Sequence, residues 1–198
     1  MRITGGRYRG RRLEVPPPPV RPTTDRMREA LFNVLAARGV AMEGTHFLDL
    51  FSGSGSMAVE AASRGAASIT LVERDPRKRP CLRRNTSFVS AAVRIHVAPC
   101  ERFLARSRRA AGRGWDLVFV DPPYVYRYKR ELLAALYAGT LLRDRSLVLV
   151  HLPVQEPLPG GPGFACLERR TYGGSAVCFF ERVVRPSGVP LTQRWVAE

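Results

Sequence analysis

The residues best suited to chemistry are Asp121-Pro122-Pro123-Tyr124, which directly follow the apolar run Trp115 to Val120. Two prolines fix the backbone there and remove its amide hydrogens. The Pro122 carbonyl is then free as an outward acceptor, and the Asp121 carboxylate offers a second one beside it. Two adjacent acceptors match an amino group with two N–H bonds. Tyr124 adds a ring on which a flat heterocycle can stack. A second group lies earlier, in Asp49-Leu50-Phe51-Ser52-Gly53-Ser54-Gly55-Ser56. It leaves one strand-like run and opens a helix, and its glycines let a ligand approach the backbone. Glu73 ends the next apolar run, twenty residues after Gly53, where a carboxylate can accept from both hydroxyls of a ribose.

Strand, glycine turn, helix, strand and acid in this order point to a nucleoside cofactor, and leave NAD and S-adenosylmethionine both open. Asp49 favours the second, because a carboxylate just before the turn can face a methionine ammonium or a sulfonium. The expected cofactor contacts are Asp49, Phe51, Ser52, Gly53, Ser54, Gly55, Glu73, Arg74 and Cys100. With a sulfonium methyl the cofactor carries the hard chemistry. The acceptors at Asp121 and Pro122 would orient an amine lone pair toward it and stabilise the developing positive charge. No metal-ligand pattern is visible, and none is required.

These groups need a scaffold that brings strand ends together. From Gly44 the sequence alternates apolar strands (46–51, 68–73, 93–97, 115–120, 146–150) with amphipathic helices (55–64, 76–89, 100–109, 129–138). Such alternation predicts an α/β fold, a mostly parallel sheet with helices on both faces. Runs 164–172 and 175–184 flank Gly173-Gly174 and read as a closing antiparallel hairpin. Open sheets of this kind bind ligands beyond the carboxyl ends of their strands. Three segments are expected: a basic RNA-facing extension over 1–40, a catalytic domain over 41–185, and a loose tail over 186–198. The extension reads as a hairpin, a polyproline stretch Pro16 to Pro19, and a helix over 26–38 capped by Thr24 and ended by Gly39.

The chain has 198 residues and a net charge of +15, with Lys78 and Lys129 its only lysines. Arginine therefore supplies the charge. Part of that excess reads as coding bias, and part as attraction for a polyphosphate. The expected RNA contacts are Arg7, Arg9, Arg11, Arg12, Arg21, Arg26, Arg28, Tyr126 and Arg127. The four scattered cysteines read as free thiols. The start lacks a secretory signal, and no apolar run reaches the roughly 18 residues needed to span a bilayer, so a cytoplasmic protein away from membranes is expected.

The sequence resembles the RsmD family, bacterial enzymes that methylate N2 of a guanine in 16S ribosomal RNA. The resemblance rests on Met1-Arg2-Ile3-x-Gly5-Gly6-x-Tyr8-x-Gly10-Arg11, on Arg21 to Asn33, and on the glycine loop, Glu73, Asn85, Asp121 to Tyr124 and Tyr172-Gly173. It implies a Rossmann-like class I methyltransferase with a seven-stranded sheet. It also implies S-adenosylmethionine as cofactor, a small ribosomal subunit as partner and a guanine N2 product. A monomer is expected. One position departs from the pattern: where relatives of this fold often carry an acid or amide for the adenine amino group, this sequence has Pro99 and Cys100. The alternatives are an adenine N6 methyltransferase, a glutamine methyltransferase, a non-enzymatic ribosome assembly factor and, least economically, a nicotinamide oxidoreductase.

Overall fold

A computed structural model describes residues 1–16, 23–107, 114–137, 141–157 and 164–182. Its elements are α1 (Asp25–Ala37), β1 (His46–Leu50), α2 (Ser56–Ser63), β2 (Ser68–Glu73), α3 (Arg79–Thr86), β3 (Ala92–Val97), α4 (Cys100–Ser107), β4 (Trp115–Val120), α5 (Lys129–Tyr137), β5 (Leu142–Pro153), β6 (Phe164–Tyr172) and β7 (Ser175–Arg182). The strands form one seven-stranded sheet in the order β3-β2-β1-β4-β5-β7-β6. β1 to β5 pair in parallel, and β7 pairs antiparallel with both β5 and β6. This is the Rossmann-like arrangement that the sequence implies.

Alternation along the strands sends neighbouring side chains to two separate cores. Phe47, Ile69, Leu71, Leu117, Phe119 and Leu149 pack under α1, α2 and α3. Leu48, Leu50, Val72, Val118, Val120 and Val148 pack under α4 and α5. Both faces are covered, which explains why these strands read as unbroken apolar runs.

Three expectations change in detail. The helix expected over 76–89 is a 3-10 turn (Pro76–Lys78) followed by α3. Pro80 is tolerated only in the first turn of an α-helix, so the α geometry cannot begin much earlier. β5 is longer than expected, because β7 pairs along it as far as Pro153 and Arg145 (φ +62°) absorbs a register shift near its start. The opening hairpin is a loop closed by one antiparallel bridge, Arg2 to Arg12. Most of the polyproline stretch, Arg21 and the tail from 183 lie outside the described residues, as do the ends expected for the helices over 100–109 and 129–138.

The opening segment is bound tightly to α2. Thr4 donates to the Glu60 carboxylate from its amide (2.8 Å) and its hydroxyl (2.7 Å). The Arg7 amide donates to the Ser63 carbonyl at 2.7 Å. Gly6 (φ +75°) lies so close to the last turn of α2 that a Cβ would stand 1.9 Å from the Ser63 carbonyl oxygen. Beneath this segment Arg28 is fully buried. It donates to the Thr23 carbonyl (3.0 Å), the Arg2 carbonyl and Asp25 (2.8 Å), and it pairs with buried Glu60 at 3.7 Å. Expected among the RNA contacts, Arg28 is instead a buried clamp between α1, the opening segment and α2. Helical periodicity alone could not reveal this, because Glu60 is 32 residues away.

Glu60 would keep its closer pairing with Arg64 at 2.9 Å, but loss of Arg28 leaves the Thr23 and Arg2 carbonyls without their donor and opens a cavity beneath the segment. Arg28→Ala should therefore lower stability by about 2–4 kcal/mol. Urea denaturation checks this; a loss below about 1 kcal/mol, ordinary for a surface arginine, would contradict the clamp.

Candidate active site

β1 is the point where strand order reverses: the chain moves outward from β1 to β2 and β3, then crosses back to β4 on the other side. The ends of β1 and β4 are in register, with Asp49 opposite Phe119 and Leu50 opposite Val120. Beyond these ends lies a cavity of about 870 Å³, large enough for a nucleoside cofactor and part of a base. The glycine loop, with Asp49, Phe51 to Ser54 and Lys78, forms one side. Asp121 to Tyr124, His151 and the β6–β7 turn (Thr171, Tyr172, Gly173, Ser175) form another, and Thr23 to Met27 of the α1 region complete it. Asp121 and Gly53 thus border the same space, as the chemistry requires.

The glycine loop carries backbone conformations that the sequence only partly announces. Gly55 (φ +76°) begins α2, and a Cβ there would meet Leu71 at 2.8 Å. Phe51 has φ +63°, which is costly for a bulky residue and occurs where surroundings enforce it. Its ring is held edge-on by Tyr126 at 5.0 Å. Asn85 ties the loop to the opening segment. Its amide donates to the carbonyls of Ser54 (2.8 Å) and Glu14 (3.0 Å), and its oxygen accepts from the Glu14 amide.

Asp49 is buried and takes one hydrogen bond, from the Ala58 amide at 3.3 Å. Burial raises its carboxyl well above the usual carboxylate range, and the nearby negative charges of Asp121 and Glu73 raise it further. Among the described residues no cation pairs with it. Glu73 is differently placed. Its oxygens accept from the amides of Gly53 (3.0 Å) and Asp75 (2.9 Å) and from Lys78 (3.2 Å). It stands behind Gly53, and Lys78 takes the place at the cavity wall. Arg74 is exposed. Cys100 is buried against the Phe51 loop, and burial pushes its thiol up to about 12, so it serves as packing and not as a nucleophile.

At the other end, both oxygens of Asp121 have partners: His151 Nδ1 at 2.7 Å and the Thr23 hydroxyl at 3.2 Å. The Pro123 carbonyl accepts from the Tyr126 amide at 2.8 Å, which leaves the Pro122 carbonyl as the open acceptor among the described residues. Tyr124 is 47% exposed and borders the cavity, whereas Tyr128, 63% exposed, sets its ring edge-on to Tyr126 at 6.0 Å. Tyr126, expected to contact RNA, has its ring on Phe51 and its hydroxyl on Glu101. Its phenol is raised above the ordinary value, mainly by burial.

Sequence reasoning missed His151, Thr23, Lys78 and a role for Tyr172. His151 sits inside an apolar strand, and only the pairing of β4 with β5 brings it beside Asp121. Of the expected RNA contacts, Arg7, Arg9, Arg11, Arg12, Arg26 and Arg127 are exposed. Arg26 borders the cavity, whereas Arg7 lies against the far end of α2. Eight helical residues separate the two ends of α2, a distance of about 12 Å. Among the described residues no group of three or more His, Cys, Asp or Glu is placed to hold a metal ion.

The buried Asp49 carboxylate destabilises the ligand-free protein near neutral pH. A carboxyl raised in the folded state contributes stability at acid pH that is lost as pH rises through its folded value. Asp49→Asn should raise the Tm of the ligand-free protein at pH 7 and weaken S-adenosylhomocysteine binding by about 2–5 kcal/mol. Affinity in the parent should rise with pH up to that folded value, because an ammonium placed beside Asp49 expels its proton. Calorimetric titration across pH reads both effects; a variant with lower Tm and unchanged affinity would contradict them.

Comparison with known proteins places the chain in a family and a fold. The family model described as Conserved hypothetical protein 95 matches residues 1–181. Ribosomal RNA small subunit methyltransferase D of Escherichia coli K12 is 38% identical over 176 residues, 88% of this chain and 85% of that protein. The protein of the same name from Haemophilus influenzae is 30% identical over 177 residues, 87% and 89% of the two chains. Among solved structures, YhhF from Escherichia coli superposes with a TM-score of 0.80 at 32% identity, covering 93% of this chain and 99% of that one. A hypothetical protein from Thermus thermophilus gives 0.77 at 35% identity, covering 90% and 98%. With the family model spanning nearly all of the described chain and the acceptor motif, glycine loop and arginine-rich opening all in place, the chain belongs to the RsmD family of ribosomal RNA small subunit methyltransferases.

Proposed function

We propose that this protein transfers a methyl group from S-adenosylmethionine to the exocyclic N2 of a guanine in 16S ribosomal RNA, within an assembled or partly assembled small subunit. The observation that carries the reading is the placement of Asp121 and the Pro122 carbonyl at the same cavity as Asp49 and the glycine loop. The names of the relatives support ribosomal RNA as the substrate class.

The residues present fit the cofactor. Asp49 is a buried carboxylate with no cation beside it among the described residues, suited to a methionine ammonium. Gly53 and Ser54 allow close approach of the methionine part, and Glu73 can serve the ribose through the lone pairs left after its present hydrogen bonds. When bound, S-adenosylmethionine supplies an electrophilic methyl on a sulfonium. The chain's work is then to hold and aim the amine. An exocyclic amino group is a weak nucleophile because its lone pair is delocalised into the ring. Asp121 and the Pro122 carbonyl each accept one N–H bond, which favours a pyramidal nitrogen and fixes its lone pair. Asp121 also offsets the positive charge that develops on nitrogen and stands ready to accept its surplus proton. Tyr124 stacks on the base, which must be unpaired or flipped out to reach this depth. Phosphate contacts fall to the exposed arginines, with Arg26 at the cavity and Arg7 and Arg9 farther away. That spacing suits a large, folded RNA.

Asp121→Ala should bind S-adenosylhomocysteine as the parent does, yet transfer methyl at least about 100-fold more slowly. Tritium transfer to small-subunit particles from cells lacking the protein measures this; parental rates would remove the assignment. Mass spectrometry of the digested RNA should show 2-methylguanosine, and N6-methyladenosine would favour the adenine reading. Arg9→Ala combined with Arg11→Ala should reduce the salt slope of particle binding by about 1.4–1.8, as each phosphate contact contributes about 0.7–0.9. An unchanged slope would exclude these two arginines from the interface.

A further inference from the structure

We propose that His151 is a positioning residue for methyl transfer: through Nδ1 it fixes the Asp121 carboxylate, and through Nε2 it offers the target base an additional acceptor. This rests on the guanine reading above and adds a residue to its site.

The placement is rigid. Val150 pairs with Val120 at the end of β4, so the next residue on β5 stands beside Asp121. On its other side His151 pairs with Val177 of β7, which holds the backbone from both edges. The His151 side chain is 11% exposed, and its Nδ1 lies 2.7 Å from Asp121 Oδ1. A carboxylate oxygen accepts and does not donate, so the shared proton sits on Nδ1. In the neutral ring Nε2 then carries a lone pair. Among the described residues that buried atom has no hydrogen-bond partner, and its side chain borders the cavity. A bare buried lone pair is an acceptor in want of a donor.

The second oxygen of Asp121 takes only the longer bond from Thr23, at 3.2 Å. Each oxygen has two acceptor positions, so Oδ2 can receive a substrate N–H while His151 holds Oδ1. His151 therefore prevents the carboxylate from rotating away, and the donor row it favours is two adjacent N–H groups. Guanine presents such a row, with N2 amino and N1–H side by side. Adenine places an acceptor at N1, which would face the Nε2 lone pair unfavourably. Tyr172, whose hydroxyl is also buried without a partner among the described residues, borders the same cavity and adds a further polar group at the base end.

Two variants separate the two roles. His151→Asn keeps an N–H near the place of Nδ1 and loses the Nε2 acceptor, while His151→Leu loses both. Transfer from S-adenosylmethionine to small-subunit particles from cells lacking the protein gives kcat and the KM for particles. S-adenosylhomocysteine affinity and Tm report folding and cofactor binding. His151→Leu should lower kcat about 10- to 100-fold, as loss of an orienting partner does, with cofactor affinity within twofold of the parent. His151→Asn should recover most of kcat but keep a KM raised about tenfold, the worth of one neutral hydrogen bond. A parental kcat in His151→Leu, or a kcat in His151→Asn no better than in His151→Leu, would overturn the positioning role. A parental KM in His151→Asn would overturn the acceptor role. If His151→Leu does not fold, His151→Asn against the parent still decides: loss of kcat refutes Nδ1 positioning, and unchanged KM refutes the Nε2 contact. Product identity keeps the readings apart, since the parent's methylated nucleoside tests the guanine assignment whatever the variants do.

Discussion

The site depends on an electrostatic crowding that the fold imposes. Reversal of strand order at β1 brings the ends of β1 and β4 side by side, and each end carries an aspartate. Asp49 and Asp121 thereby bring negative charge to one cavity, with Glu73 behind its glycine loop, in a protein whose net charge is +15. The interior of the site resists that charge, as the raised Asp49 carboxyl shows. A ligand bearing an ammonium and a sulfonium relieves it, and an amine that becomes positive during reaction relieves it again. Under the proposed function the basic exterior would attract a polyphosphate, while the two aspartates, in a cavity also lined by Arg26 and Lys78, would favour a cationic group of the cofactor.

The opening segment is part of this arrangement. Thr4, Gly6 and Arg7 lie against α2, and Arg28 clamps the start of α1 to the same helix through Glu60. From there two polar contacts run to the site itself. Asn85 joins Glu14 to the Ser54 carbonyl of the glycine loop, and Thr23 reaches Asp121. The basic opening segment and the residue before α1 are therefore bonded to the loop that would hold the cofactor and to the carboxylate that would hold the base. Not every arginine in it faces solvent: Arg28 maintains these contacts from inside.

The loop after β4 shows how aromatic residues divide between support and recognition. Tyr126 rests on Phe51 and bonds to Glu101, which stabilises a backbone that places Phe51 at positive φ. Tyr124 remains exposed at the cavity, and Tyr128 is exposed with its ring edge-on to Tyr126. Residues of one type within five positions thus meet different surroundings, according to which side of the loop they leave.

The sequence by itself determined the α/β class, the strand and helix order, the glycine turn and the acceptor motif. These follow from local patterning, backbone chemistry and short-range spacing, and the family resemblance rests on the same residues. Tertiary structure alone decided which groups meet. His151 reads as one histidine in an apolar strand until β5 pairs with β4, and Thr23 reads as a residue before a helix until α1 folds over the strand ends. Arg28 and Glu60 are 32 residues apart and become a buried pair only when two helices pack. Lys78, one of two lysines, acquires meaning where Glu73 turns back to the glycine loop. For His151, Thr23 and Arg28 the partner is distant in sequence, and local periodicity contains no information about it.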